Sequence, residues 1–208
     1  MAYQVIINGG KVVHSRVINR IDARIEKGAL NAVHALVVHQ TGAATSRSVF
    51  GSYANGQNGA HFLIDVDGRL YQTARVTQKC WHVGRIRAKC QHLRSCSSTD
   101  LAAINQILFR RGDSYAVRIK ALHDHEAAKA YPHRYPTNED SIGIEIVSAF
   151  DVRADAYASV NRSQNESLSW LVAALEGALA LSDSDVYTHG TIGYKQVSEG
   201  ATAKWTRP

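Results

Sequence analysis

The run Ile142-Gly143-Ile144-Glu145-Ile146-Val147 places a carboxylate inside a stretch otherwise made for burial. Such a run reads as a strand covered on both faces. A buried carboxylate is costly unless it is paired or stands beside a metal. A second run rich in β-branched residues, Ala35 to Val38, ends at His39. His61 to Gln72 alternates around Asp67-Gly68, a two-residue hairpin signal between antiparallel strands. A fourth segment, Tyr187-Thr188-His189-Gly190, brings another histidine to a strand edge. The chain must therefore fold into a sheet stiff enough to hold these polar groups in place.

A divalent zinc ion gives Glu145 a reason to be buried. Catalytic zinc takes three protein ligands and keeps a fourth position for water, whose pKa it lowers to roughly 7. His39 and His189 are the first two candidate ligands. Glu199, ten positions after His189, offers the third, with one Zn2+ per chain. Glu145 is then the general base that takes the water's proton and passes it to a leaving nitrogen.

Five elements in order complete a wider pattern: Val38-His39-Gln40-Thr41, Ala60-His61-Phe62-Leu63-Ile64 with Asp67-Gly68, Trp81-His82-Val83-Gly84, Ser141-Ile142-Gly143-Ile144-Glu145, and His189. In these the chain resembles the zinc-dependent N-acetylmuramoyl-L-alanine amidases, a family that includes phage lysozyme-like amidases, cytoplasmic recycling amidases and peptidoglycan recognition proteins. The resemblance implies an α/β fold with a central mixed β-sheet flanked by helices, and zinc at one end of the sheet in a substrate groove. It implies cleavage of the amide between N-acetylmuramic acid and L-alanine of peptidoglycan. It assigns His61, Trp81 and His82 to lining the groove or bracing the site, with Trp81 equally suited to the core.

Two positions depart from the family. Phage lysozyme-type members carry a tyrosine just before the second histidine motif, where this chain has Ala60, which adds weight to Glu145. The usual lysine two residues before the last ligand is replaced by Lys195, four residues before Glu199. A cation there would stabilise the oxyanion of a tetrahedral intermediate. Thr41 reads as a helix cap. His123-Asp124-His125-Glu126 imitates a zinc-protease helix, but Lys129 fills the second ligand position, and the segment reads as a solvated face.

Length and charge set the outer limits. The 208 residues, 45% hydrophobic and 20% charged, suit one α/β domain over 1–208, enlarged by an insertion at about 85–138. This insertion is basic and ends in Tyr131 to Pro136, an expected ordered loop against a groove. No apolar run reaches the roughly 18 residues of a membrane span. The net charge of +6 favours an acidic partner, but the basic residues are scattered without interleaved aromatics, so nucleic acid is not expected. Peptidoglycan, with its carboxylates, fits. Cys80, Cys90 and Cys96 allow one disulfide with a free thiol, or three thiols. Ser163 with Glu166 predicts a capping box ahead of a helix over 164–182, whose stripe Leu168, Leu171, Val172, Leu175 and Leu179 faces the sheet. A second helix is predicted from Ser97 or Ser98 through Leu108, stopping at Gly112.

The N-terminus reads as a strand and turn without the marks of a secretory signal. The expectation is a monomeric lytic enzyme, cytoplasmic before release, that reaches the periplasm or wall of a target bacterium by a non-Sec route. It would be a phage endolysin or a delivered toxin with secretion machinery and a cognate immunity protein as partners. The alternatives are a cytoplasmic recycling amidase and a peptidoglycan-binding module without activity.

Overall fold

Ala35 to Val38 and Ile142 to Val147 form neighbouring strands of one sheet, and Ala35, Leu36, Val37 and Val38 have no exposed surface. The computed structural model describes residues 3–206. In chain order the strands β1 (Ile6–Asn8), β2 (Lys11–Val13), β3 (Val17–Asn19) and β4 (Ala35–Gly42) lead to helix α1 (Ser46–Asn55) and strands β5 (Phe62–Ile64) and β6 (Leu70–Gln72). Helices α2 (Lys89–His92), α3 (Ser98–Leu108) and α4 (Tyr115–Ala127) follow. Strands β7 (Ser141–Asp151) and β8 (Ala156–Tyr157), helix α5 (Arg162–Leu179), strand β9 (Val186–Thr188) and helix α6 (His189–Ile192) complete the series.

The main sheet runs β3-β6-β5-β7-β4-β9, with β8 paired to β7 off this path. It is mixed: the pairs β5–β6 and β7–β8 are antiparallel, while β3–β6, β5–β7, β7–β4 and β4–β9 are parallel. Period-two alternation sorts its side chains between two layers. Leu36, Val38, Phe62, Ile64, Ile142, Ile144 and Ile146 pack against Leu168, Leu171, Val172 and Leu175 of α5. Leu63 and Val147 point the other way, against Val49 and Tyr53 of α1. The leucine stripe of α5 is thus core, as its spacing predicts.

Several local expectations shift. Strand β4 continues past His39 to Gly42, so the histidine stands within the strand and not at its end. The Asp67-Gly68 turn has three residues, not two: Asp65 and Arg69 close it, and Gly68 takes φ +84°, the left-handed position such loops reserve for glycine. The capping box of α5 is built from Asn161 and Gln164. Glu166 instead bonds Arg162 one turn back. Helix α3 starts after its Ser97 cap and ends at Leu108, close to its predicted span. Thr41 caps no helix; its hydroxyl bonds the backbone of Ala43 and Ser148, and Thr45 caps α1.

The segment expected to be an insertion is ordered around α2, α3 and α4. Cys90 and Cys96 are joined, while Cys80 is free and buried. Lys89 Nζ lies 5.6–5.8 Å from the ring centres of Tyr131, Tyr135 and Tyr187 and bonds the Pro132 carbonyl at 2.9 Å. The Tyr131–Pro136 loop therefore packs onto the body, with Tyr135 buried beside Val37 and Ile86. The His123–Glu126 stretch is only partly solvated. Asp124 is exposed, but Glu126 is fully buried against Lys129 Nζ at 2.6 Å, and His123 Nδ1 accepts from Ile86 N–H. Period alone could not show α4 turning that face inward.

Candidate active site

Strand register brings the polar groups together. His39 on β4 pairs with Glu145 on β7, and Val38 pairs with Thr188, so His189 follows beside His39. Glu199 arrives from the turn after α6. Its backbone N–H donates to Gln196 O, and the Gly200 N–H donates to Gln40 Oε1 at 2.8 Å. The turn fits because position 190 is glycine: a Cβ there would lie 2.6 Å from Gln196 O and 2.8 Å from Glu199 O.

His39 Nδ1 lies 3.0 Å from His189 Nδ1 and 3.2 Å from Glu199 Oε1, and His189 Nδ1 is 2.9 Å from that same oxygen. All three residues are buried. Two imidazole nitrogens and a carboxylate oxygen in mutual contact cannot all find protons to share, whereas a divalent cation satisfies all three. Tetrahedral zinc bonds of roughly 2.0–2.1 Å place ligand atoms about 3.3 Å apart, close to this triangle.

The tautomers agree. His82 Nε2 faces the Ser141 carbonyl at 3.3 Å, which can only accept, so the proton sits on Nε2 and Nδ1 is left to accept. That Nδ1 is 3.1 Å from His39 Nε2, which must then donate. The chain of bonds leaves His39 Nδ1 with a free lone pair pointing at His189 and Glu199. His82 fits here because its neighbour is Gly143, where a Cβ would stand 2.7 Å from the ring.

Burial and its neighbour His189 press the His39 pKa down to about 4, keeping the ring neutral. Burial opposes the Glu199 carboxylate, yet its close contacts with the rings of His189 and His39 hold it at about 2. Burial pushes Glu145 up to about 7 against a hydrogen bond donated by Tyr53 Oη. Tyr53 is a site residue that sequence reasoning missed. It comes from α1, and its oxygen also accepts from Ala60 N–H at 3.4 Å. The phenol therefore stands against the position where the resemblance led to an expected tyrosine. Ala60 was the one available signal.

A cleft of about 470 Å³ opens onto these groups, lined by His39, Glu145, His189 and Glu199, with Tyr53 and Lys195. Trp81, 46% exposed, forms part of its wall and is not core. His82 also borders it, though both ring nitrogens are engaged. His61 corrects the expectation of a groove residue. It is fully buried, accepting from Gly143 N–H at Nδ1 and facing the Gln78 carbonyl at 2.8 Å with Nε2, so it ties β7 to the strand beside it. A larger hollow, about 930 Å³, lies along α5 beside His14, Arg16 and Lys204, away from all four groups.

A mixed sheet with two histidines and a carboxylate converging beside a buried glutamate defines a hydrolase site. Residues 29–205 match the family model of N-acetylmuramoyl-L-alanine amidase, and the chain belongs to that family. It is an N-acetylmuramoyl-L-alanine amidase acting on peptidoglycan. No curated protein matches it by sequence. Among solved structures it is similar in fold to a selenomethionine derivative of AmpD, at 15% identity and TM-score 0.54 over 92% of this chain and 89% of that one. It is also similar to PlyL, at 12% identity and TM-score 0.51 over 86% and 84%. A third, AmpDh3 from Pseudomonas aeruginosa, aligns at 19% identity and TM-score 0.50 over 78% of this chain and 53% of that one.

Proposed function

We propose that this amidase is zinc-dependent and lytic, releasing stem peptides from the bacterial wall by cutting between N-acetylmuramic acid and L-alanine. The observation that carries the reading is the triangle of His39 Nδ1, His189 Nδ1 and Glu199 Oε1 beside Glu145. A zinc ion held by those three atoms supplies a polarised carbonyl and a water acidic near neutral pH. Glu145 takes the proton of the attacking water and returns it to the departing alanine nitrogen, so water adds across the C–N bond. A pKa of about 7 suits a group that must both accept and donate. Tyr53 fixes the Glu145 carboxylate through one oxygen, Oε2. Lys195, exposed at the cleft rim, would meet the oxyanion.

The Cys90–Cys96 disulfide supports work in an oxidising compartment, and so wall lysis over cytoplasmic recycling. The binding-module reading needed Glu199 to miss the cluster, and its 2.9 Å approach to His189 weighs against that. Digestion of purified sacculi, with and without chelator, tests the proposal by mass analysis of released fragments. Free stem peptides beginning at L-alanine, seen only with metal, are expected. Retention on sacculi with no released peptide would return the chain to the binders.

A further inference from the structure

We propose that Gln40 is a positioning residue for the metal: its buried side-chain amide holds the turn that presents Glu199. The inference rests on the reading of Glu199 as a zinc ligand. Gln40 follows His39 on β4 and is only 3% exposed. Its amide is engaged at both ends. Oε1 accepts from the Gly200 N–H at 2.8 Å, while Nε2 donates to Ser148 Oγ and to the Ala158 carbonyl, each at 2.9 Å. A backbone N–H only donates and a carbonyl only accepts, so these partners fix which end of the amide is which. Ser148 Oγ donates in turn to the same Ala158 carbonyl at 2.7 Å, which locks the donor end to β7 and to the segment after β8.

The bond joins two neighbours of ligands. Gln40 is next to His39 and Gly200 is next to Glu199, so the contact between them sets how near the two ligand segments come. Glu199 Oε1 must meet His39 Nδ1 at 3.2 Å and His189 Nδ1 at 2.9 Å, and any shift of the turn moves that oxygen directly. The turn's own backbone does little to prevent such a shift: Glu199 N–H donates to Gln196 O and Ala201 N–H to Ser198 O, both within the turn. Gln196 Nε2 reaches Asp155 Oδ1 at 2.8 Å, but both residues are exposed and water competes for that bond. The buried amide of Gln40 has no such competitor. Glutamine suits the position because one planar group accepts from the turn and donates to the sheet.

The test is competition for zinc between the full chain and a chelator, read on folded protein. Gln40→Met, similar in length but without the acceptor, should weaken zinc binding about tenfold or more, the range for partners that hold metal ligands. Gln40→Glu keeps an oxygen for the Gly200 N–H and should bind within about threefold of the parent. Gln196→Ala loses only the exposed bond and should match the parent. A residue serving stability alone would lower the urea midpoint and leave the zinc affinity of the folded protein unchanged; that result in Gln40→Met, or a Gln40→Glu equally weak, would overturn the proposal. Amide exchange in the metal-free parent needs no substitution and stands even if Gln40→Met does not fold. The Gly200 N–H should be protected relative to that of Val197, which is 75% exposed, and equal exchange at the two would also overturn the proposal. A parent that takes up no zinc would overturn the zinc reading and this inference together, whereas equal affinity in the parent and Gln40→Met would remove this inference alone.

Discussion

Glu145 stands where two effects oppose each other. Burial raises its pKa to about 7, while the Tyr53 hydroxyl favours the charged form. Removing that bond with Tyr53→Phe should raise the pKa further, so the acid limb of the pH–rate profile moves to higher pH. Turnover at neutral pH should fall on the order of tenfold, as expected for losing one bond to a charged group. An acid limb that stays in place would show that the phenol does not act on Glu145. Glu145→Gln should keep bound metal yet lower turnover by on the order of 10² or more. Glu199→Ala does the reverse. It removes one of the three proposed ligand atoms, so metal content, read by elemental analysis, should fall with activity; full occupancy would mean another group completes the site.

At the scale of elements, the site depends on how closely β7 meets the Trp81–Gly84 segment. Gly143 exists on β7 so that His82 can lie against the strand and fix the tautomer of His39. Gly143→Ala would push the ring by its contact at 2.7 Å, and metal affinity should fall about 10–100-fold, the range for losing an outer partner. A competition titration with a chelator measures this without reference to turnover. In the insertion, Cys90→Ser with Cys96→Ser opens a bridge spanning six positions, which by chain entropy is worth about 2 kcal/mol. The effect should be local, with faster amide exchange in α2 and α3. The sheet does not share that loop and should exchange as before.

For the whole molecule, the buried histidines couple folding to pH. In the metal-free protein His39 and His61 have pKa values pressed down to about 4, and His82 lies well below its ordinary value, all by burial. The unfolded chain binds these protons at about 6.5 and the folded one does not, so stability is lost as pH falls from about 6.5 toward 4. Glu145, raised to about 7, works in the opposite sense between its unfolded value of 4.5 and 7, but it is one group against three. The urea midpoint of metal-free protein should therefore be lower at pH 5 than at pH 7. A midpoint that rises on acidification would mean that the carboxylate dominates.

The sequence by itself determined the parts that local rules govern. Apolar runs marked β4 and β7, the leucine period marked α5, and the order of motifs singled out His39, Glu145 and His189, with Glu199 offered by its place ten positions after His189. Those signals are carried by neighbours within one element, where strand alternation and helical repeat act. Only the tertiary structure decided which nitrogen of His39 faces its partners, that His61 braces the sheet below the cleft, and that Tyr53 supplies the phenol absent at position 60. The same holds for the Cys90–Cys96 pairing and the inward turn of Glu126. These outcomes rest largely on contacts between groups far apart in the chain, 43 residues for His39 with His82 and 92 for Tyr53 with Glu145. No periodicity links such positions; the packing of α1, the insertion and β7 against one another brings them together.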